Sequence, residues 1–206
     1  DSFNSGQSCC GIERIYVDEK IYEKFVDGFK SFTENYNLGN PLEQSTNLGP
    51  VVRLKAAKNI RLQVLEAINK GAKNIISKYF ESDNNKNCYV SPSALINVDH
   101  SMKFMKEETF GPTVGIMKVQ NENEAVQLMN DSDYGLTASI WTSDNDVAKD
   151  IGSKVETGTF FMNRCDYLDP GLAWTGVKDT GIGVTLSVLG FDYLTRAKSY
   201  HLRTIN

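Results

Sequence analysis

Residues 1–17 read DSFNSGQSCCGIERIYV, and two adjacent cysteines, Cys9 and Cys10, stand between a Gly-Gln-Ser run and a strand-like Ile-Tyr-Val segment. Three interpretations fit this pattern: a buried pair of small apolar side chains, half of a metal site, or a reactive nucleophile. By composition alone, two buried cysteines at a loop–strand junction are commoner than a catalytic one. The rest of the sequence therefore decides between these interpretations.

The other cysteines and the two histidines do not supply the remainder of a metal site. Zinc ligands usually recur at spacings such as Cys-x2-Cys or His-x3-His, whereas Cys88, Cys165, His100 and His201 are widely separated along the chain. A chain of this size needs no disulfides for stability. We therefore predict reduced thiols, no metal, and a cytoplasmic location, with mitochondria as the alternative because a targeting segment would lie upstream.

Composition excludes two classes of partner. Of the 206 residues, 40% are apolar and 23% are charged, which is ordinary for a globular protein with a sizeable core. The net charge of −4 and the pI near 5.3 leave no basic excess to attract a phosphate backbone. No run of about 18 apolar residues is present, so we also predict that no segment spans a membrane.

Short apolar strands alternate with amphipathic helices, which is typical of an α/β fold built on an open sheet. We predict strands over 12–17 and 113–119 and a helix over about 51–70. Another helix follows the first strand, with Asp18 as its N-cap. The predicted apolar stripe of that helix consists of Ile21, Phe25, Phe29 and Phe32.

Two more helix starts and a terminal strand complete the prediction. Asn121 and Glu124 form a capping-box pattern, and Ser143 is placed to cap the next helix. Residues 198–203 alternate weakly between polar and apolar side chains, as an edge strand does.

Four motifs in chain order favour the nucleophile at Cys9. In order they are Phe3–Arg14 (FNSGQSCCGIER), Gly49-Pro50 before a helix that ends at Gly71-Ala72-Lys73, Glu107–Pro112 (EETFGP), and Gly158–Asn163 (GTFFMN) followed by Gly176–Gly183 (GVKDTGIG). Together they resemble the aldehyde dehydrogenase superfamily over nearly the whole chain. Any one of these motifs is a weak signal, but four in family order are a strong one.

The resemblance implies the fold of the family's catalytic domain and an oxidation of a small-molecule aldehyde to a carboxylic acid. Cys9 matches the family's nucleophile, which forms a thiohemiacetal and then a thioester, and the implied cofactor is NAD or NADP. A soft thiolate that is also a fair leaving group suits both covalent steps. The preceding Gly6-Gln7-Ser8 suits a tight turn that brings backbone N–H groups towards the sulfur and a developing oxyanion.

The resemblance also assigns residues to the cofactor and the substrate. Glu108 matches the residue that hydrogen-bonds the nicotinamide ribose, and Phe110 matches the aromatic residue beside the nicotinamide. Asp166 and Leu168 match positions that line the substrate tunnel. The sequence departs from the usual family pattern at several places, which indicates a divergent branch. These departures are Ala56, Asn59, Trp174 and Thr180.

The resemblance further implies how the chain is organised. Residues 1–197 correspond to the catalytic domain, and residues 198–206 to a C-terminal oligomerisation strand of a homodimer or homotetramer. In the family the NAD-binding domain, the general base and a second oxyanion donor precede the cysteine motif, so we expect the chain alone to be inactive as a dehydrogenase. Two alternatives stay open: a coenzyme A-acylating aldehyde dehydrogenase, and a non-catalytic protein on the same fold.

Overall fold

A four-stranded sheet lies at the centre of the fold. The computed structural model describes residues 3–165 and 167–205. The strands of the sheet follow the order β1–β4–β3–β2, and β1 and β3 both run parallel to β4, whereas β2 pairs antiparallel with β3. Their bounds are Arg14–Asp18 (β1), Lys73–Asn74 (β2), Ser93–Ile96 (β3) and Thr113–Val119 (β4). The predicted open α/β sheet is confirmed.

Helices cover both faces of this sheet, because side chains of a strand alternate between its faces. Val114 and Ile116 of β4 pack with α1 (Tyr22–Thr33) in one buried cluster. Met117 packs with α2 (Leu54–Asn69) in a second cluster on the other face. β4 is thus the core of the molecule, enclosed by one helix on each side.

Elsewhere in the described residues the other strands form two smaller sheets, accompanied by three α-helices and by 3-10 turns at Phe3–Gly6 and Lys103–Met105. Strand β6 pairs parallel with β7, and β5 pairs antiparallel with β8. A buried cluster of Ala138, Ile151 and Val155 joins β6 to α4. The bounds are α3 (Glu122–Asn130), β5 (Tyr134–Gly135), β6 (Thr137–Ile140), α4 (Asn145–Lys154), β7 (Thr159–Met162), β8 (Val177–Lys178) and α5 (Leu189–Leu194).

The caps of α3 and α4 test two of the predicted helix starts. Asn121 is the N-cap of α3, and its side chain accepts a hydrogen bond from the backbone N–H of Glu124 at 3.0 Å, as predicted. Ser143 is not the cap of α4. The adjacent Asp144 caps it, because its carboxylate accepts two N–H groups of the first helical turn at 2.8 and 3.1 Å.

The N-cap and two of the four apolar residues predicted for the core-facing stripe of α1 were wrong. Asp18 does not cap this helix; its carboxylate accepts the N–H of Lys20 at 2.9 Å in a turn that precedes the first helical residue. With the start displaced, Ile21 is 55% exposed and Phe32 is 68% exposed. The side chains that do reach the core, or lie partly buried against it, are Tyr22, Phe25, Val26, Phe29 and Thr33.

The C-terminal part of the chain differs from the prediction. Helix α5, of six residues, was not predicted from the sequence. Residues 198–205 form neither helix nor strand within the described chain and are exposed, so the proposed pairing of this segment with another subunit stays a prediction. Over the described ranges, no helix has both the length and the apolar character needed to cross a membrane.

Candidate active site

The loop that carries Cys9 begins with an unusual backbone turn. Asn4, Ser5 and Gly6 all have left-handed conformations, with φ of 49°, 58° and 74°. Amide side chains close the turn on itself: Asn4 Nδ2 donates to the carbonyl of Gln7 at 3.1 Å, and Gln7 Nε2 donates to the carbonyl of Asn4 at 2.9 Å. Three successive left-handed residues are costly for L-amino acids, so the surrounding structure has to hold them.

The Gly49-Pro50 motif provides part of that support. Ser5 Oγ donates a hydrogen bond to the carbonyl of Gly49 at 2.7 Å. On the other side of Pro50, the N–H of Val52 donates to Gln7 Oε1 at 2.7 Å. Two polar side chains of the cysteine motif therefore bind the segment that leads into α2, and two of the four sequence motifs are in direct contact.

Gly6 brings the third motif to the same place. A Cβ at this position would lie 1.9 Å from the carbonyl oxygen of Gly111 and 2.9 Å from the nitrogen of Pro112. Only glycine permits such an approach between two backbones, and its φ of +74° favours glycine as well. The cysteine loop thus packs directly on the EETFGP turn.

The two adjacent cysteines have different environments. Cys9 is exposed, whereas Cys10 is buried, and its sulfur lies 3.3 Å from Ser8 Oγ. Both cysteines lie in a turn closed by a hydrogen bond of 3.0 Å from the Gly11 N–H to the carbonyl of Ser8, and this turn directs their side chains to different sides. Among the described residues, no group of three or more His, Cys, Asp or Glu side chains could hold a metal ion. The structure therefore separates an accessible thiol from one that belongs to the interior.

Three side chains of the EETFGP turn are exposed: Glu107, Glu108 and Phe110. Glu108 is exposed, and Phe110, whose φ is +52°, is 39% exposed. Between them Thr109 is buried. Glu107 has other partners, since its carboxylate accepts from Gln63 at 3.5 Å and lies 3.8 Å from the ammonium group of Lys103. Glu107 thus faces Gln63 and Lys103, whereas Glu108 and Phe110 lie exposed on either side of the buried Thr109.

A carboxylate that the sequence analysis missed joins this turn to the cysteine loop. Glu13 accepts hydrogen bonds from the Thr109 N–H at 3.0 Å, the Thr109 hydroxyl at 3.1 Å and the Phe110 N–H at 2.9 Å. Burial raises the pKa of this carboxyl; the N–H groups act in the opposite direction, and the charge of Glu108 raises it further. The sequence signals were weak: Glu13 lies inside the cysteine motif and beside the first strand, and neither fact shows what it binds.

Strand pairing explains why these segments meet. The cysteine loop precedes β1 and the EETFGP turn precedes β4, and these strands are parallel neighbours with Arg14 opposite Gly115. The amino ends of two adjacent parallel strands lie at the same edge of a sheet, so the loops before them must be close together. The N–H of Gly115 also donates to the carbonyl of Glu13 at 3.0 Å, which fixes the register next to the site.

Within the described residues, the fourth motif holds neighbouring strands and loops together. Both ends of the Asn163 amide pair with the backbone of Thr142, at 2.8 and 3.0 Å, which ties the end of β7 to the end of β6. A Cβ on Gly158 would lie 1.6 Å from the carbonyl oxygen of Thr175. Thr180, one of the departures from the family pattern, accepts the N–H of Gly135 at 2.8 Å.

The two residues predicted to line the substrate path are in the segment after β7. Leu168 is exposed, and Asp166 lies outside the described residues. Of the two departures on α2, Ala56 is half-buried against a core cluster and Asn59 is exposed. The structure therefore packs the loop that carries Cys9 against the turn that carries Glu108 and Phe110, through Gly6 and Glu13. The roles of all five predicted site residues stay predictions.

Comparison with known proteins identifies the family. The profile of the aldehyde dehydrogenase family matches residues 2–200. The 3-sulfolactaldehyde dehydrogenase of Priestia aryabhattai is 36% identical over 181 residues, which are 87% of this chain and 37% of that protein. The NADP(+) succinate-semialdehyde dehydrogenase of Deinococcus radiodurans is 33% identical over 195 residues, which are 95% of this chain and 40% of that protein.

Solved structures give the same result. The betaine aldehyde dehydrogenase of Staphylococcus aureus, in complex with NAD+, superposes with a TM-score of 0.86 at 30% identity and covers 93% of this chain and 38% of that one. The fold is thus the α/β fold found in aldehyde dehydrogenase structures. The chain belongs to the aldehyde dehydrogenase family, and it spans about two fifths of the length of the curated relatives that it matches.

Proposed function

We propose that this chain is the cysteine-bearing catalytic part of an NAD(P)-dependent aldehyde dehydrogenase. The observation that carries the proposal is the contrast between exposed Cys9 and buried Cys10, on a loop packed against the turn that presents Glu108 and Phe110. A catalytic cysteine needs an accessible thiol close to the side chains that bind the cofactor, and this arrangement supplies both. The activities named for the relatives support the same class of reaction.

In the proposed reaction the Cys9 thiolate attacks the carbonyl carbon of the aldehyde. A C–S bond forms, the carbonyl oxygen becomes an oxyanion, and the product is a thiohemiacetal. Loss of hydride from that carbon leaves a thioester on Cys9. Water then hydrolyses the thioester, which releases the carboxylic acid and restores the thiol. When bound, NAD(P) supplies the hydride acceptor.

The residues of the EETFGP turn fit the nicotinamide end of such a cofactor. The exposed Glu108 carboxylate can accept from both hydroxyl groups of a ribose. The half-exposed ring of Phe110 offers a flat apolar surface beside it. We propose these two roles, together with a place for Asp166 and Leu168 along the path of the aldehyde.

Four further parts of the proposal concern the whole protein. Residues 1–197 form the catalytic unit, and residues 198–206 pair with another subunit in a homodimer or homotetramer. The exposed apolar side chains of the terminal segment, Tyr200, Leu202 and Ile205, support a partner there. The protein acts in the cytoplasm. The chain alone does not oxidise aldehydes at a useful rate.

The test is formation of NADH or NADPH by the full-length protein with short aliphatic, aromatic and ω-carboxy aldehydes. Cys9→Ala is the test variant and Cys10→Ala is its matched control, because the two thiols are adjacent but only Cys9 is exposed. We expect Cys9→Ala to lower kcat by at least about 1,000-fold. Cys10→Ala should retain activity of the same order as the unsubstituted protein.

Three outcomes would point elsewhere. Full activity in Cys9→Ala would contradict the role of Cys9. Turnover that requires coenzyme A and yields an acyl-coenzyme A would favour the acylating alternative. Binding of cofactor without oxidation of any aldehyde would favour a non-catalytic protein on this fold.

A further inference from the structure

The most connected polar side chain at this edge of the sheet is Glu13, which the reaction described above does not use. It lies four residues after Cys9 and 96 residues before Thr109 in the sequence. Oxygen Oε1 accepts the Thr109 N–H, the Thr109 hydroxyl and the Phe110 N–H at 3.0, 3.1 and 2.9 Å, and Oε2 shares the Thr109 N–H at 3.0 Å. One carboxylate therefore binds two successive residues of the EETFGP turn.

The turn needs such a partner for two physical reasons. Phe110 has a left-handed backbone, which is unfavourable for a residue that carries a Cβ. Thr109 is buried, so its N–H and hydroxyl would lack water if the protein gave them no acceptor. These hydrogen bonds require the N–H groups of two consecutive residues to point at the same carboxylate oxygen. Glu13 therefore satisfies them when the Phe110 backbone is left-handed and not when it adopts a relaxed conformation.

The charge of Glu13 also acts on Glu108. The two carboxylates are close enough for the charge of Glu108 to raise the pKa of Glu13. Since like charges repel, the buried carboxylate favours an orientation of Glu108 towards solvent, where Glu108 is found.

We propose that Glu13 is a positioning residue that holds Glu108 and Phe110 in register with Cys9. It acts through the Thr109–Phe110 backbone and does not itself touch substrate or cofactor. Because Glu13 belongs to the chain segment that leads from Cys9 into β1, any movement of the nucleophile loop is transmitted to the turn. This inference rests on the proposed function.

The experiment compares Glu13→Ala and Glu13→Gln with Glu34→Ala in the full-length protein. Glu34 is a matched control, since its carboxylate likewise accepts a backbone N–H and a hydroxyl, both from Ser77, at 2.9 and 2.8 Å, but at the far end of α1. Three quantities are measured: kcat and KM for NAD(P), the rate at which iodoacetamide alkylates Cys9 without cofactor, and hydrogen exchange of the Thr109 and Phe110 amides without cofactor.

For Glu13→Ala we expect kcat to fall on the order of 100-fold with a raised KM for NAD(P), because the turn loses its fixed geometry. Cofactor-free alkylation of Cys9 should change by less than about threefold, since the thiol stays accessible. The two amides should exchange at least about tenfold faster. Glu13→Gln should recover much of the loss, because its amide oxygen accepts the same bonds, and Glu34→Ala should leave all three quantities unchanged.

A Glu13→Ala protein with unchanged kcat and KM, in a wild type that oxidises aldehydes, would overturn the inference alone. So would equal losses in Glu13→Ala and Glu34→Ala, because they would reflect general destabilisation. A wild-type protein that oxidises no aldehyde with either cofactor would overturn the proposed function and this inference with it.

Discussion

The contact between Gly6 and Gly111 predicts a large effect from one added methyl group. In Gly6→Ala the new Cβ would lie 1.9 Å from the carbonyl oxygen and 2.2 Å from the carbonyl carbon of Gly111. These are backbone atoms, so no change of rotamer relieves the clash. A normal separation of about 3.5 Å requires the loop or the turn to shift by about 1.5 Å.

The size of the effect follows from what such a shift breaks. Two backbone hydrogen bonds hold the turn: the Thr113 N–H donates to the carbonyl of Gly111 at 2.8 Å, and the Ser93 N–H donates to that of Pro112 at 3.0 Å. Losing both costs about 2 kcal/mol. An alanine at a φ of +74° adds about 1–2 kcal/mol. We expect Gly6→Ala to lower the free energy of unfolding by about 3–4 kcal/mol.

The assay is urea unfolding followed by far-ultraviolet circular dichroism, with two glycine controls. Gly71 also has a positive φ, +109°, but no atom lies within 4 Å of its Cβ position, so Gly71→Ala should cost only about 1–2 kcal/mol. Gly28 lies exposed within α1 with open space around it, so Gly28→Ala should add about 0.5–1 kcal/mol. Equal losses in Gly6→Ala and Gly71→Ala would refute the argument, because the close approach would then contribute nothing.

Three other predictions concern stability. Asn121→Ala removes the cap of α3 and should lower the free energy of unfolding by about 1 kcal/mol in the same urea assay. An unchanged free energy of unfolding would mean that the hydrogen bond from the Glu124 N–H does not stabilise the protein. Burial raises the pKa of Glu13, so its contribution to stability is present below about pH 4.5 and declines as pH rises through the raised pKa. Wild type should therefore lose stability relative to Glu13→Gln from pH 4 to 7. Burial also raises the pKa of Asp83, but the N–H groups of Ser91 and Asn85 together with the Arg61 guanidinium outweigh this effect, so the net pKa is lowered. Wild type should therefore lose stability relative to Asp83→Asn as pH falls below about 3.8. If the stabilities of Glu13→Gln and Asp83→Asn, each relative to wild type, changed with pH in the same direction, one of the two predicted pKa shifts would be wrong.

Local patterns predicted the elements whose signals are local. The apolar run of β4 gave its bounds of Thr113–Val119, and the Asn-x-x-Glu pattern gave the start of α3 at Asn121. The core-facing side of α1 could not be read the same way. Its aromatic residues share one side of the helix, but the buried face is rotated about the helix axis towards Tyr22, Val26 and Thr33, so that Phe32 lies at the exposed edge. Which part of the apolar side faces the sheet depends on where the turn after Asp18 ends.

The candidate site was predictable as residues but not as a connected structure. Cys9, Glu108 and Phe110 belong to short motifs, so sequence alone singled them out. Glu13 stands inside the cysteine motif, but nothing in that motif shows its role, because its bonds reach residues 96 and 97 positions away. A lone acidic residue ahead of a strand gives no sign of what it will bind when the strand acquires its neighbour.

The position of the site in the sheet explains why its parts are far apart in sequence and close in space. Ligand sites of open α/β sheets usually lie beyond the carboxyl ends of the strands, but here Cys9 and the EETFGP turn precede the amino ends of β1 and β4. Their meeting depends on the parallel pairing of these two strands, in which Arg14 lies opposite Gly115. A slip of this register by two residues would move the cysteine loop along the strand by about 7 Å relative to the turn. Such a slip would break the Gly6 contact and every bond of Glu13, so the pairing of β1 with β4 is itself the condition for the site to exist.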